Sequence, residues 1–587
     1  MFLTAPLIAG QRIAARIYDP GTKNSLKVYH LQEYARFRAG MYPSTTPGDS
    51  TSPRRRTRCD GSRDVPFFRK IEDWQQLVAE VDEVVRQLSP TQLLATAIAY
   101  WRLGRVGRAE WKRLCSAAAR HAYSPHANIT GISASEVSLI LCCFARVYNK
   151  PVHSSSSLLR WLIRDVGQLN ERDVCMALFY MRRMRCLPPK LETTENHASA
   201  AMLRAIILGL APEGGNKLPR FSPGGLVCLV SNLAYIGHFP WNIIYYSCNV
   251  IRKRASELDA KTMAMHCRSL AMLKLPEKGT LKAFATLITG KRKLDTATIT
   301  CVLHSYAKLR FRPRNNFTGL LEHVHKGIFM FQDHEVAQIA FAMGQLGYRV
   351  PDVYESIFEF LQRRSDYQNP QNIAMLMQSF AKVGIYRPQV VDLLMIQAKN
   401  SIAAFTLSQS IAVLDACTLL GHFDPIIYND MLANITKLAE DNPSDATVNQ
   451  LNRIMYCIRH EHPEFLCNAP RTTQTLIGLY QGHFLEATPS EPRHALYECL
   501  EEMDVTYERS AMVGPYRLDA LINGVFALDM LSEASLCPIT REYLGSVRLK
   551  NRHLETMGYR PVHLVMREWL RKSHEERITS LKGVLIL

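Results

Sequence analysis

The chain lacks most of the patterns that announce an enzyme or a membrane protein. None of its 15 cysteines forms a C-x-x-C pair, which removes the common zinc ribbon and the thioredoxin-type site. No apolar run reaches the roughly 18 residues of a membrane-spanning helix. The nearest stretch, 226–246, is broken by Ser231, Asn232, His238, Pro240 and Asn242. There is no phosphate-binding G-x-x-x-x-G-K-[ST] loop; Gly214-Gly-Asn-Lys217 has no such framework around it. His334-Glu-Val-Ala-Gln and His574-Glu-Glu-Arg-Ile lack the second histidine of a zincin. Acidic side chains are scarce relative to basic ones, 53 against 71, giving a net charge of +18 and a pI near 9.3. That balance favours an anionic partner such as nucleic acid or a membrane surface.

The cysteines sit mostly inside apolar helical stretches, at Cys142, Cys143, Cys175, Cys228, Cys267, Cys301, Cys417 and Cys457. Buried reduced thiols are the expectation. The beginning of the chain is acid-poor. Its first acidic residue is Asp19, and Arg12 and Arg16 stand among apolar residues. This pattern suits an organellar presequence. Pro53-Arg-Arg-Arg-Thr-Arg58 could be read as a nuclear signal, but such a run is more often a solvated arm or an RNA contact. Residues 1–65 are taken as a basic leader, and a mitochondrial location is expected.

The middle of the chain repeats. An apolar helix ends in roughly aromatic-Ala-basic-aliphatic-Gly, and the aliphatic position falls at Ile236, Leu273, Leu309, Leu346, Val383 and Leu420. Successive spacings are 37, 36, 37, 37 and 37. Looser copies end at Leu103, Val147, Arg183 and Ile458, and an insert near 188–222 interrupts the period. Such a period holds two helices of three to four turns and two connections. Ile373, Leu376, Met377 and Phe380 form one apolar stripe, and Val353, Ile357, Phe360 and Leu361 form another. Gly384 fits a helix C-cap, and Pro388 prevents the first helix from continuing. Neither stripe can be buried without stacked neighbours, so residues 66–470 read as a helical-hairpin solenoid with an extended concave surface.

Cations recur near the ends of the first helices. Arg102, Arg146, Arg182, Lys308 and Lys382 sit one residue before the aliphatic position, with Arg310 and Arg387 just beyond. Stacked units would place them in a row suited to phosphates. The plainer alternative is that each one neutralises a helix C-terminal dipole. Tyr235, Met272, Gln345 and Leu419 interrupt the row. Tyr100, Phe144, Tyr306 and Phe380 fall at core spacing.

After a connector over 471–510, the end of the chain changes character. Tyr516-Arg-Leu-Asp519 and Phe526-Ala-Leu-Asp529 read as two short strands ending on or near aspartates, joined across an Asn523-Gly524 turn. A basic helix follows, carrying Arg548, Lys550, Arg552 and His553. Gly558-Tyr559 then turns into a third strand, and Glu568-Trp569 is expected to open the last helix. Leu549, Leu554 and Met557 would pack the basic helix onto the sheet, and Trp569 reads as a core anchor.

Residues 511–587 resemble the RAP domain, an RNA-associated module. The repeats before it resemble heptatricopeptide and octotricopeptide arrays. The resemblance implies a mainly α chain, a helical-hairpin solenoid closed by a small α/β restriction-endonuclease-like domain. Metal-dependent nucleases of that fold use two carboxylates and a lysine. Here the carboxylates would be Asp519 and Asp529, while the lysine position holds Leu531. Glu533 or Lys550 would have to substitute, so no catalysis, cofactor, metal or small-molecule substrate is expected. The related Fas-activated serine/threonine kinase family also carries a RAP domain, but no kinase signature is present here. The resemblance therefore implies a non-catalytic mitochondrial RNA-binding protein, with ribosomal RNA as ligand and ribosomal proteins as neighbours. Its role would be that of a mitoribosome constituent or an rRNA assembly and stability factor. An organellar endoribonuclease and a protein-binding scaffold are the alternatives. Expected RNA contacts are Arg102, Arg146, Arg182, Lys308, Arg310, Lys382, Arg387, Arg548, Lys550, Arg552, Arg560 and Arg567.

Overall fold

The structure is a computed structural model. It describes residues 74–587 apart from 105, 124–130, 165–168, nearly all of 185–217, 238, 292–293, 314–316, 365–368, 439–443, 480–492 and 586–587; before 74 it describes only Val28, Leu31 and Ala35. The expected leader and most of the expected insert therefore lie outside the described residues. The chain divides into two compact units, Met1–Phe284 and Ala285–Leu587.

In the first unit the first helices of successive hairpins are α1 (Pro90–Leu103), α2 (Ala134–Val147), α3 (Glu171–Arg183), α4 (Pro223–Ile236) and α5 (Ala260–Met272). Each packs on the next. Second helices follow at Arg108–Ala122, His153–Arg164 and Trp241–Lys253. The second unit repeats the plan with α6 (Thr296–Lys308), α7 (Asp333–Leu346), α8 (Pro370–Val383), α9 (Leu407–Leu420) and α10 (Asp445–Glu461), again in serial contact. The chain is thus mainly helical and built as a repeat array. The expected stripes are buried: Ile373, Leu376, Met377 and Phe380 on α8, and Val353, Ile357, Phe360 and Leu361 on the helix Pro351–Arg363. Tyr100, Phe144, Tyr306 and Phe380 are fully buried, as their spacing indicates. Of the eight cysteines expected inside helices, Cys228 and Cys301 are only half-buried.

The period is written into the caps. Ser89, Ser133, Asn170, Ser222, Asp259, Asp295, Asn369, Thr406 and Ser444 each accept a backbone N–H of the first turn of their helix. At α7 the Glu335 carboxylate instead accepts the Gln332 N–H. At the other end, Gly237, Lys274, Arg310, Gly347, Gly384 and Gly421 all adopt positive φ, between 51° and 79°. This left-handed residue stops the first helix and frees the chain to turn. Pro351, Pro388 and Pro425 then open second helices as their first residues.

The C-terminal module belongs to the second unit. A helix α11 (His494–Glu502) leads into β1 (Tyr507–Arg509), and β2 (Met512–Val513) pairs with β3 (Tyr516–Arg517). Strands β4 (Ala520–Ile522), β5 (Phe526–Leu531) and β6 (Arg560–Val565) complete a sheet ordered β1-β4-β5-β6. Only the β5–β6 pair is parallel, and the helix α12 (Gly545–Thr556) crosses between those two strands. Asn523 and Gly524 make the hairpin turn with both φ positive, 50° and 66°. Three local expectations change. Asp519 lies in the link between β3 and β4, and Asp529 lies inside β5 rather than at a strand end. Glu568-Trp569 closes a one-turn helix, Met566–Trp569; the last helix α13 is His574–Leu585. Met557 is exposed, while Leu549 and Leu554 are buried. The main core joins Leu496, Cys499 and Leu500 of α11 to Leu528, Leu564, Trp569 and Leu581, so residues assigned to the connector form part of this module.

Candidate nucleic-acid interface

In the first unit, the ends of the first helices build a row of alternating cations and rings. The Arg146 guanidinium of α2 lies 4.9 Å from the Trp101 ring of α1 and 5.7 Å from the Phe179 ring of α3. The Arg182 guanidinium stands 3.4 Å over Tyr235 of α4, and Arg268 of α5 approaches the same ring at 5.6 Å. Arg102 continues the series at the end of α1, half-buried. Planar guanidinium groups stack on aromatic faces and keep their N–H edges for anionic oxygens. Burial pulls the Arg182 guanidinium below its ordinary pKa, with Arg268 and Arg183 adding like-charge repulsion. The neighbouring Arg183 shows the plainer use of a cation, since its Nε donates to the Ala145 carbonyl at the end of α2. A shallow cleft flanks the row, lined by Arg146, Phe179, Arg182, Ser231, Asn232 and Met265.

The second unit treats the same position differently. Lys308 and Arg310 are exposed. Lys382 is held among protein groups, and burial lowers its ammonium to about 8, with Asp415 opposing that shift. Asp415 is itself gripped by both arms of Arg453 at 2.7 Å. Arg387 pairs with Glu355 and lies 5.5 Å from the Phe358 ring.

The basic helix α12 is laid across the first-helix ends of this unit. Leu544, its N-cap, meets Gly347 after α7. Arg548 donates to the Gly384 carbonyl after α8 at 3.1 Å. Arg552 donates to the Thr418 carbonyl of α9 at 2.8 Å and holds Glu461 of α10 with two bonds, 2.9 and 3.1 Å. One helical turn of α12 therefore serves one repeat. The cations add donors to carbonyls at the ends of α8 and α9, where the Thr418 carbonyl also accepts the Gly421 N–H. Cys537 and Glu542 extend the seam to Arg349. Gly545 approaches so closely that a Cβ there would stand 1.8 Å from the Ala381 carbonyl oxygen. Arg548, Lys550 and Arg552 are thus engaged within the protein, whereas Arg560 and Arg567 face solvent.

The two aspartates come together beside a lysine supplied by α12. Lys550 Nζ lies 2.7 Å from Asp529 Oδ2 and donates to the Arg517 carbonyl at 3.2 Å. Asp519 accepts the Met530 N–H at 2.6 Å and pairs with Arg493. Burial raises both carboxyls. The Met530 N–H pulls Asp519 back down, and the Lys550 ammonium does the same for Asp529. Leu531, at the position where a lysine was expected, is buried in β5.

No protein-family model matches this chain, and no curated protein matches its sequence. Its site is therefore described by its own geometry. Sequence spacing located Arg102, Arg146 and Arg182, but it scored Tyr235 as a gap. Tyr235 is the ring on which two arginines converge. Arg268 sits five residues before its aliphatic position, Leu273, out of register with the other cations, so no periodic search would include it. Arg493 precedes the sheet in sequence and joins Asp519 only through the fold.

Proposed function

We propose that this chain is a non-catalytic RNA-binding protein of the mitochondrion that acts on ribosomal RNA, as a ribosome constituent or as an assembly and stability factor. The observation that carries the reading is the row Trp101–Arg146–Phe179 with Arg182–Tyr235–Arg268. Rings and guanidinium planes offer stacking surfaces to unpaired bases, and the N–H edges meet phosphates. The excess of basic side chains supplies the long-range attraction. The acid-poor start of the sequence supports the mitochondrial address. Crosslinking in cells followed by sequencing of bound RNA tests it. Mitochondrial rRNA should be enriched and the protein should sediment with a ribosomal subunit; enrichment of neither organellar RNA nor a subunit overturns the reading.

A second reading, a metal-dependent endoribonuclease, is favoured by one observation: Lys550 stands against Asp529, which also accepts the Asp519 backbone N–H and whose charge raises the Asp519 carboxyl. Two carboxylates and a lysine suit Mg²⁺-assisted attack of water on a phosphodiester. Against it, both carboxylates are buried and already paired with cations. Cleavage of structured RNA that requires Mg²⁺ and disappears in Asp529→Asn would establish this reading over the first.

A further inference from the structure

Where α12 meets α10, three donor groups converge that neither the RNA row nor the carboxylate pair uses. Cys457 and Glu461 lie four residues apart on α10, hence on one helical face. His553 reaches them from α12. Its Nε2 is 3.3 Å from Cys457 Sγ and 2.9 Å from Glu461 Oε1. The three donor atoms all lie within 4.8 Å of one another. We propose that Cys457, Glu461 and His553 bind a zinc-class divalent cation, which fastens the C-terminal module to α10.

The geometry is close to what such a cation needs. With metal–sulfur and metal–nitrogen bonds of about 2.3 and 2.0 Å, tetrahedral S···N and N···O edges are about 3.5 and 3.3 Å. A small outward shift of the side chains reaches both. Tyr516 Oη is 2.5 Å from His553 Nδ1. When a metal takes Nε2, the ring hydrogen sits on Nδ1 and is donated to Tyr516 Oη, the usual role of an outer partner to a metal-bound histidine. Arg552 holds both oxygens of Glu461, Oε1 through Nε and Oε2 through Nη2, so the carboxylate stays oriented while a second lone pair of Oε1 serves the metal. A small cavity beside the site, lined by Thr418, Gly421, Cys457, Glu461 and His462, has room for roughly one water as the fourth ligand.

Binding replaces the thiol proton. Cys457 and Glu461 coordinate as thiolate and carboxylate, His553 as neutral imidazole, and the sulfur's proton leaves to solvent. A thiol ordinarily holds its proton at neutral pH, so its release marks occupancy.

The test is a Co²⁺ titration of the full-length chain after chelation. One equivalent should bind with a near-ultraviolet sulfur-to-cobalt band and release of protons into a weakly buffered solution. Cys457→Ser should lose the band, Cys467→Ser at an exposed position should keep it, and Tyr516→Phe should weaken binding by roughly tenfold. If Cys457→Ser does not fold, Glu461→Gln is read instead, with a shifted band and weaker binding expected. A wild-type chain that takes up no Co²⁺, or a band unchanged in both Cys457→Ser and Glu461→Gln, overturns the proposal and leaves a hydrogen-bonded clamp.

Discussion

The same repeat position does different work in the two units. At the ends of α2, α3 and α5, arginines stack on rings of neighbouring helices, Arg146 and Arg182 half-buried and Arg268 exposed. At the ends of α7 to α9, the position is covered by α12, whose own arginines bind the carbonyls of the array. A cation at a helix C-terminus is favourable in either case. Its function depends on what stands opposite: a ring and solvent in one unit, a docked helix in the other. A repeat consensus therefore marks where cations stand without saying what they touch.

The sharpest way to break this contrast is to undock α12. Gly545→Val drives a branched side chain into the Ala381 carbonyl and should cost roughly 3 kcal/mol by overpacking. Chemical denaturation should show the loss in the transition that reports the second unit, with Gly545→Ala a milder version. Next, the row itself can be dismantled. Arg146, Arg182 and Arg268 changed together to Ala should weaken single-stranded RNA binding by roughly a hundredfold and flatten its salt dependence. Arg548→Ala should leave affinity within about twofold while lowering stability by about 1 kcal/mol. Equal losses of affinity from the two sets would erase the distinction between the units.

Acid should act on both units through buried histidines. Burial lowers His266 in the first unit and His563 in the second to about 4. Because the folded pKa lies below the unfolded one, this stability is complete above about pH 6.5 and is lost as pH falls through the folded value. The expected slope is roughly 1 kcal/mol per pH unit for each histidine. His563→Gln should remove that slope from the second unit alone. Glu461 is held down at about 2, since bonds from His553 and Arg552 outweigh its burial, so its contribution fades only below about pH 4.5. The smallest effect concerns the turns. Arg310 adopts φ of 51° where sister repeats place glycine, so Arg310→Gly should stabilise by about 1 kcal/mol, and Gly384→Ala should destabilise by at least as much.

Much of the array was legible because its signals are local. Caps, left-handed turn residues and apolar stripes each act within one hairpin, and a near-constant period from Ile236 to Leu420 lets six weak signals reinforce one another. The C-terminal strands were legible only roughly. β2, β3 and β4 are two or three residues long, and their ends depend on pairing, β2 with β3 and β4 with β1 and β5, which alternation alone cannot fix. The position of the lysine beside Asp529 was harder still. Lys550 lies 21 residues downstream, on a helix whose approach to β5 follows from the parallel crossover to β6.

By itself the sequence determined a helical repeat with a period near 37, a basic charge balance and a mixed α/β end, because composition and spacing control capping, burial stripes and net charge directly. Tertiary structure decided which cations remain at a surface and which are consumed. Arg146 and Arg548 are the same residue type, the first in the last turn of α2 and the second in the first turn of α12. One stacks between rings of neighbouring helices, and the other donates to a carbonyl 164 residues away in sequence. Contacts of that range are set by how whole elements pack, and no local pattern records them.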